Sequence, residues 1–382
     1  MRPMTKQIRL NAFDMNCVVH QSPGLWTHPR DRADSYNSFD YWVSLAQLLE
    51  RGKFDALFLA DVLGIYDVYG GGPEMALEQA IQVPVNDPLM IVPAMAYATK
   101  NLGFGVTCSL SYEHPYPFAR RMSTLDHLTN GRIGWNIVTG YLESAAKGMG
   151  RGTLPAHDTR YEIAEDYMDV VYKLWEGSWE DGAVLRDRAT RRFADASKIH
   201  RVQHDGPYFQ MDAIHLCEPS PQRTPLLYQA GASTRGRAFA ARHAECVFIN
   251  GPSKHIIAPI VADIRARAAA GGRNPADIKI FTMMTVITAP TTQAAQDKLA
   301  EYRSCQRGRR AGPDVRLDRR GFCQARSGRY RAIRRHQRHD LGAGSVHHFR
   351  PHAHMDGARN RPARRHRRTR AGRGGIPHRD RR

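Results

Sequence analysis

The last 78 residues of this chain contain neither lysine nor glutamate. The 382-residue sequence carries a formal net charge of +19, and residues 305–382 hold 24 arginines against 5 aspartates. This segment therefore accounts for the whole net charge, and residues 1–304 are neutral, with 32 basic and 32 acidic side chains. The basic isoelectric point consequently gives no reason to expect a nucleic-acid or membrane partner for the first 304 residues.

Two interpretations of the arginine-rich tail are open. Guanidinium groups pair with phosphates, so the tail could be an arm that binds nucleic acid. However, it lacks lysine, and residues 361–370 contain no aromatic side chain for base stacking. Its dominant residue types have GC-rich codons, whereas lysine has AT-rich ones. We therefore favour an out-of-frame translation after about Ser304 and expect residues 305–382 to be disordered, because so charged a segment cannot bury a core.

Signals for disulfides, metal sites and membrane insertion are also missing. The six cysteines form no Cys-x-x-Cys pair, which favours reduced thiols in the cytoplasm. His200 and His204 have no third ligand at a suitable spacing, so we expect no metal. The first ten residues contain no apolar signal core, and no run of 18 apolar residues follows. We expect a soluble cytoplasmic protein.

Short apolar runs alternate with longer amphipathic ones along residues 1–304. The runs predict strands at 8–13, 56–60, 103–110, 132–138, 225–229, 246–250 and 279–287, and helices at 41–51, 89–99, 117–128, 161–175, 235–244, 254–270 and 291–304. Such alternation is typical of a parallel sheet, and seven units are one short of a (β/α)8 TIM barrel. We predict one barrel domain over residues 1–304 that lacks its eighth strand, with a polar insertion at about 180–221 over one mouth.

In such barrels the reactive groups project from the carboxyl ends of the strands. The residues at these ends are small and hydrogen-bonding, and none of them forms a Ser-His-Asp, His-Glu-x-x-His or paired-acid pattern. A site of this kind beside Trp135, Phe58 and Phe248 suits a flat aromatic cofactor better than a metal. The candidates are Asp61, Thr107, Cys108, Asn136, Val138, Thr139, Ala232 and Ser233.

Residues 229–236 form the best candidate for a phosphate site. A strand ends there, Gly231 opens a turn, and Ser233 can cap the following helix, whose free amides would face an anion. The alternative is an ordinary strand-turn-helix junction. His157 and Tyr161 are four residues apart, on one face of a helix start, where both could reach the same phosphate. Alternatively, the two residues simply belong to the first turn of a helix that Asp158 caps.

Three further candidates have equally plain alternatives. Asp61 could contact a flavin or substrate, or it could cap a loop. Cys108 fits a small buried residue better than a nucleophile. His20 could donate to substrate from the first loop, but histidines in loops are commonly structural or exposed.

Four motifs together resemble the bacterial luciferase-like flavin monooxygenases, in the branch of nitrilotriacetate monooxygenase component A, dibenzothiophene-sulfone monooxygenase and the pristinamycin synthase large subunit. The motifs are ERGKFDALFLAD at 50–61, ARRMSTLDHLTNGRIGWNIVT at 119–139, HDTRY at 157–161 and QAGAS at 229–233. The similarity runs from about residue 8 to Ser304. A relative of the same barrel that transfers hydride with a deazaflavin fits the motifs less well.

The resemblance implies a reduced FMN, supplied by a separate NAD(P)H-dependent flavin reductase, that reacts with O2 to give a hydroperoxide and oxygenates a small organic substrate. It implies FMN contacts from Asp61, Thr107, Cys108, Asn136, Val138, Thr139, His157, Tyr161, Ala232 and Ser233. We take His20 and Thr139 as the candidate catalytic residues. It also implies a homo-oligomer, without metal, membrane or nucleic-acid partners.

The chain departs from this family after Ser304, where relatives continue with a covering insertion, a helix and the closing strand. A barrel without its last strand exposes two sheet edges. We therefore expect poor solubility or weak flavin binding, with loss of activity as one outcome. Nucleic-acid binding through the tail is the alternative function.

Overall fold

A computed structural model describes residues 7–306 and the backbone of two short strands further on, Val315–Leu317 and Cys323–Ala325. These two strands pair antiparallel, and the sequence pattern did not predict them. The predicted disorder of the arginine-rich tail falls almost entirely outside the described residues and stays a prediction.

Seven parallel strands form the central sheet, so the predicted parallel α/β architecture is confirmed. Neighbouring strands follow one another in chain order, as in a barrel wall. Within the described residues the first and last of them have one neighbour each, and the missing eighth strand stays a prediction. The strands are β1 (Asn11–Met15), β2 (Ala56–Ala60), β3 (Gly103–Ser109), β4 (Ile133–Val138), then β9 (Leu226–Ala230), β10 (Cys246–Ile249) and β11 (Lys279–Thr282).

Helices follow the sheet strands along the chain, and several begin with a recognisable cap. The Ser38 side chain caps α1 (Phe39–Arg51) by accepting from the Asp40 amide, and the Ser233 side chain caps α7 (Thr234–His243) by accepting from the Gly236 amide. The helices are α1 (Phe39–Arg51), α2 (Glu74–Glu78), α3 (Val92–Tyr97), α4 (Pro115–Thr129), α5 (Glu143–Gly148), α6 (His157–Gly177), α7 (Thr234–His243), α8 (Lys254–Ala270) and α9 (Thr292–Gln306). None of the helices in the described part of the chain has both the length and the apolar composition needed to cross a bilayer.

Most bounds differ by a few residues from the sequence prediction, and three of the differences follow from strand pairing or from a proline. β1 begins at Asn11 because its partner β2 begins at Ala56, which pairs with Asn11. β11 ends at Thr282 because it pairs there with Ile249, the last residue of β10. The helix predicted at 89–99 is a 3-10 turn followed by the short α3, which has a proline in its first turn.

Side chains alternate between the helix-facing layer and the interior of the curled sheet. Phe58, Tyr228 and Phe248 face the interior, where their rings lie 4.3 to 5.9 Å apart. Trp135 instead faces the helices, where it is fully buried against Phe118. The expectation that Trp135 lines the pocket is therefore wrong, because odd and even positions of a strand point to opposite faces.

The segment between α6 and β9 consists of two antiparallel hairpins. They are formed by β5 (Val184–Asp187) with β6 (Arg192–Ala194), and by β7 (Val202–Asp205) with β8 (Gln210–Ala213). The segment is fastened to the helix layer through His215, which contacts Ser123 of α4, and through His204, which contacts Asp166 of α6.

The last described helix, α9, reaches back to the loop after β1. The buried His28 lies 2.9 Å from Glu301, and Arg30 lies 3.3 Å from the same carboxylate. The His28 ring also meets Tyr302 edge-on at 5.3 Å. These contacts join the two ends of the described sheet through a helix rather than through a strand.

Glycine at 134 is required by the interior packing of the sheet. A Cβ atom at Gly134 would lie 2.7 Å from the Tyr228 ring and 2.9 Å from the Leu226 carbonyl oxygen. We expect Gly134→Ala to lower the free energy of unfolding by about 1–3 kcal/mol, measured by urea denaturation. Gly177→Ala is the control, since nothing lies within 4 Å of its added methyl group; equal effects of the two changes would contradict this packing.

Candidate active site

The predicted site residues lie at the carboxyl ends of four neighbouring strands, β2, β3, β4 and β9. Because these strands are parallel, their last residues and the loops that follow share one edge of the sheet. The residues on this edge are Asp61, Thr107, Cys108, Asn136, Val138, Thr139, Ala232 and Ser233.

Thr107 and Asn136 form the centre of this edge. They are paired across β3 and β4, and the Asn136 side-chain amide donates to the Thr107 hydroxyl at 2.9 Å. Both residues are buried, and Asn136 Oδ1 has no hydrogen-bond partner among the described residues. A buried acceptor of this kind normally meets a donor from a ligand or an ordered water.

The residues around this pair point in different directions. Val138 ends β4 on the same face as Asn136, and the Thr139 carbonyl next to it accepts from the Ser111 hydroxyl at 2.7 Å. Cys108 points to the opposite face from Thr107 and packs against the helix-facing core. Burial raises the pKa of its thiol, so it is a neutral group.

Asp61 follows β2 and is half-buried. The pKa of its carboxyl group is raised to about 7, mainly by burial; a hydrogen bond from the Val62 amide opposes this rise, and the negative charge of Asp87 adds to it. The side chain can therefore carry a proton near neutral pH.

His20 lies in the loop after β1, with its ring 4.7 Å from the Phe13 ring. Burial lowers the pKa of its imidazole to about 4, so the ring is uncharged at neutral pH. Its carbonyl oxygen accepts from the Gln82 side chain at 3.1 Å, which fixes the loop. His20 can donate or accept one hydrogen bond here, but it is not a cation.

A second group of side chains meets where α6 and α7 begin. The Ser233 hydroxyl accepts from the Gly236 amide at 3.0 Å and lies 3.3 Å from Nε2 of His157. The His157 Nδ1 atom is held by Asp158 at 2.7 Å. The Ala232 carbonyl accepts from Arg237, which fixes the turn before the helix. Two helix N-termini and two polar side chains thus converge, which is the arrangement that binds anions.

Tyr161 lies directly beneath this turn. Its hydroxyl group is 3.4 Å from the Gln229 amide nitrogen, and burial raises the pKa of the phenol. A Cβ atom on Gly231 would come within 2.5 Å of the Gln229 side chain, and one on Gly236 within 2.7 Å of the Tyr161 hydroxyl. Only glycine fits at both positions, and we call Ser233, His157, Tyr161 and the 231–236 backbone the anion cradle.

The sequence prediction missed two features of the site. Gln229, although inside the QAGAS motif, was not chosen, and its buried Oε1 has no partner among the described residues. The loops after β2 and β4 are also tied together by a hydrogen bond between the hydroxyl groups of Tyr66 and Tyr141. Ser144 supports this tie by bonding both the amide and the carbonyl of Ile65. No local pattern marks a contact between loops so far apart in sequence.

Within residues 7–306, no group of three or more His, Cys, Asp or Glu side chains has an arrangement that could hold a metal ion. The edge of the sheet instead offers amide, hydroxyl and imidazole groups over aromatic rings. Such a lining suits an organic ligand that carries an anionic group at one end.

The family model of the luciferase-like monooxygenases matches residues 13–358. The chain belongs to this family. The resemblance drawn from the sequence motifs is confirmed, since a dibenzothiophene-sulfone monooxygenase, a nitrilotriacetate monooxygenase and a pristinamycin IIA synthase are relatives at 37%, 33% and 33% identity.

Two curated relatives are more similar. This luciferase-like monooxygenase is 56% identical over 299 residues to a long-chain alkane monooxygenase of Geobacillus thermodenitrificans, covering 78% of this chain and 68% of the relative. It is 55% identical over 301 residues to a dimethyl-sulfide monooxygenase of Hyphomicrobium sulfonivorans, covering 79% and 63%. The chain thus spans about two thirds of the length of these relatives.

Solved structures agree with the fold. A crystal structure of a long-chain alkane monooxygenase, 56% identical, superimposes with a TM-score of 0.78 over 79% of this chain and 70% of that one. A riboflavin lyase with modified FMN and the substrate riboflavin, 41% identical, superimposes with a TM-score of 0.76 over 78% and 67%.

The burial of Asp61 predicts a pH-dependent stability. Its pKa is about 7 in the folded chain against an ordinary value of 3.8. The contribution of its protonated form to the stability of the fold is therefore fully present below pH 4 and is lost as the pH rises through 7. Asp61→Asn has the same shape and cannot ionise. We expect this change to raise the free energy of unfolding, measured by urea denaturation, by about 2 kcal/mol more at pH 8 than at pH 5.

The exposed Asp297→Asn serves as the control, for which we expect the same small effect at both pH values. A pH profile that is identical in the parent chain and in Asp61→Asn would contradict the burial of this carboxyl group.

Proposed function

We propose that this chain is the oxygenating component of a two-component monooxygenase. In this proposal it binds reduced FMN delivered by a separate NAD(P)H-dependent flavin reductase, works as a homo-oligomer, and oxygenates a small uncharged organic substrate with O2. The anion cradle is the observation that carries the proposal.

The cradle has the groups that an FMN phosphate needs. Ser233 and Tyr161 offer hydroxyl donors, and the first turn of α7 offers backbone amides. His157, whose Nδ1–H donates to Asp158, contacts the Ser233 hydroxyl through Nε2. The tight glycines at 231 and 236 keep this pocket free of side chains. The riboflavin lyase, whose structure holds a modified FMN, supports a flavin in this fold.

The centre of the edge suits the flavin ring system. Asn136 Oδ1 is a buried acceptor that lacks a partner within the described residues, and a flavin ring carries N–H donors. Gln229 Oε1 also lacks a partner there, but it lies on the helix-facing side of β9 beside Tyr161. Asp61 can hold or release a proton near neutral pH, and the neutral His20 can orient a substrate. When bound, reduced FMN would supply the electron pair that activates O2, with one oxygen atom going to the substrate and the other leaving as water.

The surroundings favour a substrate without charge. Phe58, Tyr228 and Phe248 fill the interior of the sheet, and burial shifts the pKa values of His20 and Cys17 towards the neutral forms. A site so poor in fixed charge would leave an ionic substrate unpaired and desolvated at high cost. The names of the two relatives at 55–56% identity, which act on long-chain alkanes and on dimethyl sulfide, support an alkane or thioether.

Flavin binding tests the cradle. We expect Tyr161→Phe to raise the dissociation constant for reduced FMN about tenfold, because a hydrogen bond to a charged phosphate is lost, and to leave that for riboflavin unchanged. Anaerobic fluorescence titration measures both constants. Tyr208→Phe, which loses a hydroxyl contact with Glu162 on the exposed side of α6, is the control and should change neither.

Equal affinities of the chain for FMN and riboflavin would mean that the cradle does not bind the phosphate. The proposed cofactor site would then be wrong.

Turnover tests the substrate class. With a flavin reductase, NADH, FMN and O2, we expect oxygenated product from an alkane or a dialkyl sulfide and none from nitrilotriacetate. Asn136→Ala should lower the yield at least tenfold, because it removes the buried amide at the centre of the site. Product formed from nitrilotriacetate at a similar rate would contradict the uncharged substrate, and flavin binding without any product would reject turnover by this chain.

A further inference from the structure

The anion cradle is assembled from two helices that are separated in the chain by the two hairpins and by β9. His157 and Tyr161 belong to α6, whereas Ser233 caps α7. The contact between His157 and Ser233 is 3.3 Å long, at the weak end of hydrogen bonding, and the shorter bond of the Ser233 hydroxyl, to the Gly236 amide, lies within its own helix. Contacts elsewhere between the two helices therefore bear on how one is positioned against the other.

Such an interaction lies at the far end of α7. His243, the last residue of this helix, is buried, with its Nε2 atom 2.9 Å from Glu165 and its Nδ1 atom 3.1 Å from the Tyr172 hydroxyl. Both partners belong to α6. The imidazole satisfies both contacts at once, since Nε2–H donates to the carboxylate while Nδ1 shares a hydrogen bond with the phenol oxygen.

Ring contacts connect this network to the cradle. The Tyr161 ring lies 5.5 Å from that of Phe239, which lies 4.6 Å from the His243 ring. Tyr161 and Glu165 are four residues apart on α6, as are Phe239 and His243 on α7, so two matched helix faces are in contact. The buried Phe239 between them leaves no room for sliding.

We infer that Glu165, His243 and Tyr172 are positioning residues that set the anion cradle by pinning α7 to α6. Helix α7 has 10 residues, which makes it about 15 Å long. A rotation of about 4° at His243 would move Ser233 by about 1 Å, which is enough to disrupt its contacts with a phosphate. This inference rests on the proposed function only for the identity of the ligand; the contacts between α6 and α7 do not depend on it.

A pair on the same helix provides a matched control. His204 contacts Asp166 at 2.8 Å, both side chains are buried, and this pair fastens the β7–β8 hairpin rather than α7. His243→Phe and His204→Phe therefore make the same chemical change: each removes a buried imidazole from a carboxylate of α6, which is half-buried at Glu165 and buried at Asp166. Both should lower stability, but only the first should disturb the cradle.

Amide hydrogen exchange in the ligand-free protein gives the first readout. We expect His243→Phe to speed exchange of the peptide 231–240 at least tenfold, and His204→Phe to leave it unchanged. The second readout is the ratio of the riboflavin to the FMN dissociation constant, which should fall about tenfold in His243→Phe alone. Glu165→Gln keeps an acceptor for Nε2–H and should behave like the parent chain.

Unchanged exchange at 231–240 in His243→Phe, or an equal change in both histidine variants, would overturn the inference. If His243→Phe does not fold, Tyr172→Phe removes one of the two contacts of His243, and Glu165→Ala removes the other together with the ion pair between Glu165 and Arg242 of α7; the same exchange readout decides. A parent chain without preference for FMN over riboflavin would reject the proposed cofactor site instead, and the exchange of 231–240 would still decide whether the network positions α7.

Discussion

The contact between α6 and α7 is the constraint on which the site depends. Parallel strands bring the ends of β4 and β9 side by side, but strand pairing alone positions only backbone. The groups that would hold an anion come from the first turns of two helices, and these are brought into register by packed rings and one buried imidazole. Glycines at 231 and 236 let the chain approach Tyr161 closely enough to complete the cradle.

Burial is the second organising influence. It shifts the pKa values of His20, Cys17 and Asp61 in the directions that favour the neutral form of each side chain. In addition, the interior of the sheet is filled with aromatic rings. A low-charge, water-poor edge of this kind suits oxygen chemistry, in which water would compete with the substrate. The few polar groups that remain, such as Asn136 and Gln229, are therefore available for binding and orientation rather than for acid or nucleophilic catalysis.

Much of this could be predicted from the sequence because it is local. The alternation of apolar runs predicted all seven sheet strands, and the cap at Ser233 predicted the start of α7. Features that depend on strand facing or on long-range contact were harder. Trp135 was placed on the wrong face, and the roles of Gln229 and His243 emerge only when α6 and α7 are in contact. The prediction of a missing eighth strand and of a disordered tail concerns residues outside the described part of the chain.

A crystal structure of the chain with FMN would test the central claim most directly. The account predicts the phosphate within hydrogen-bond distance of Ser233, Tyr161 and the first amides of α7, with the ring system beside Asn136. A phosphate bound away from α7, or a flavin bound outside the carboxyl edge of the sheet, would contradict it.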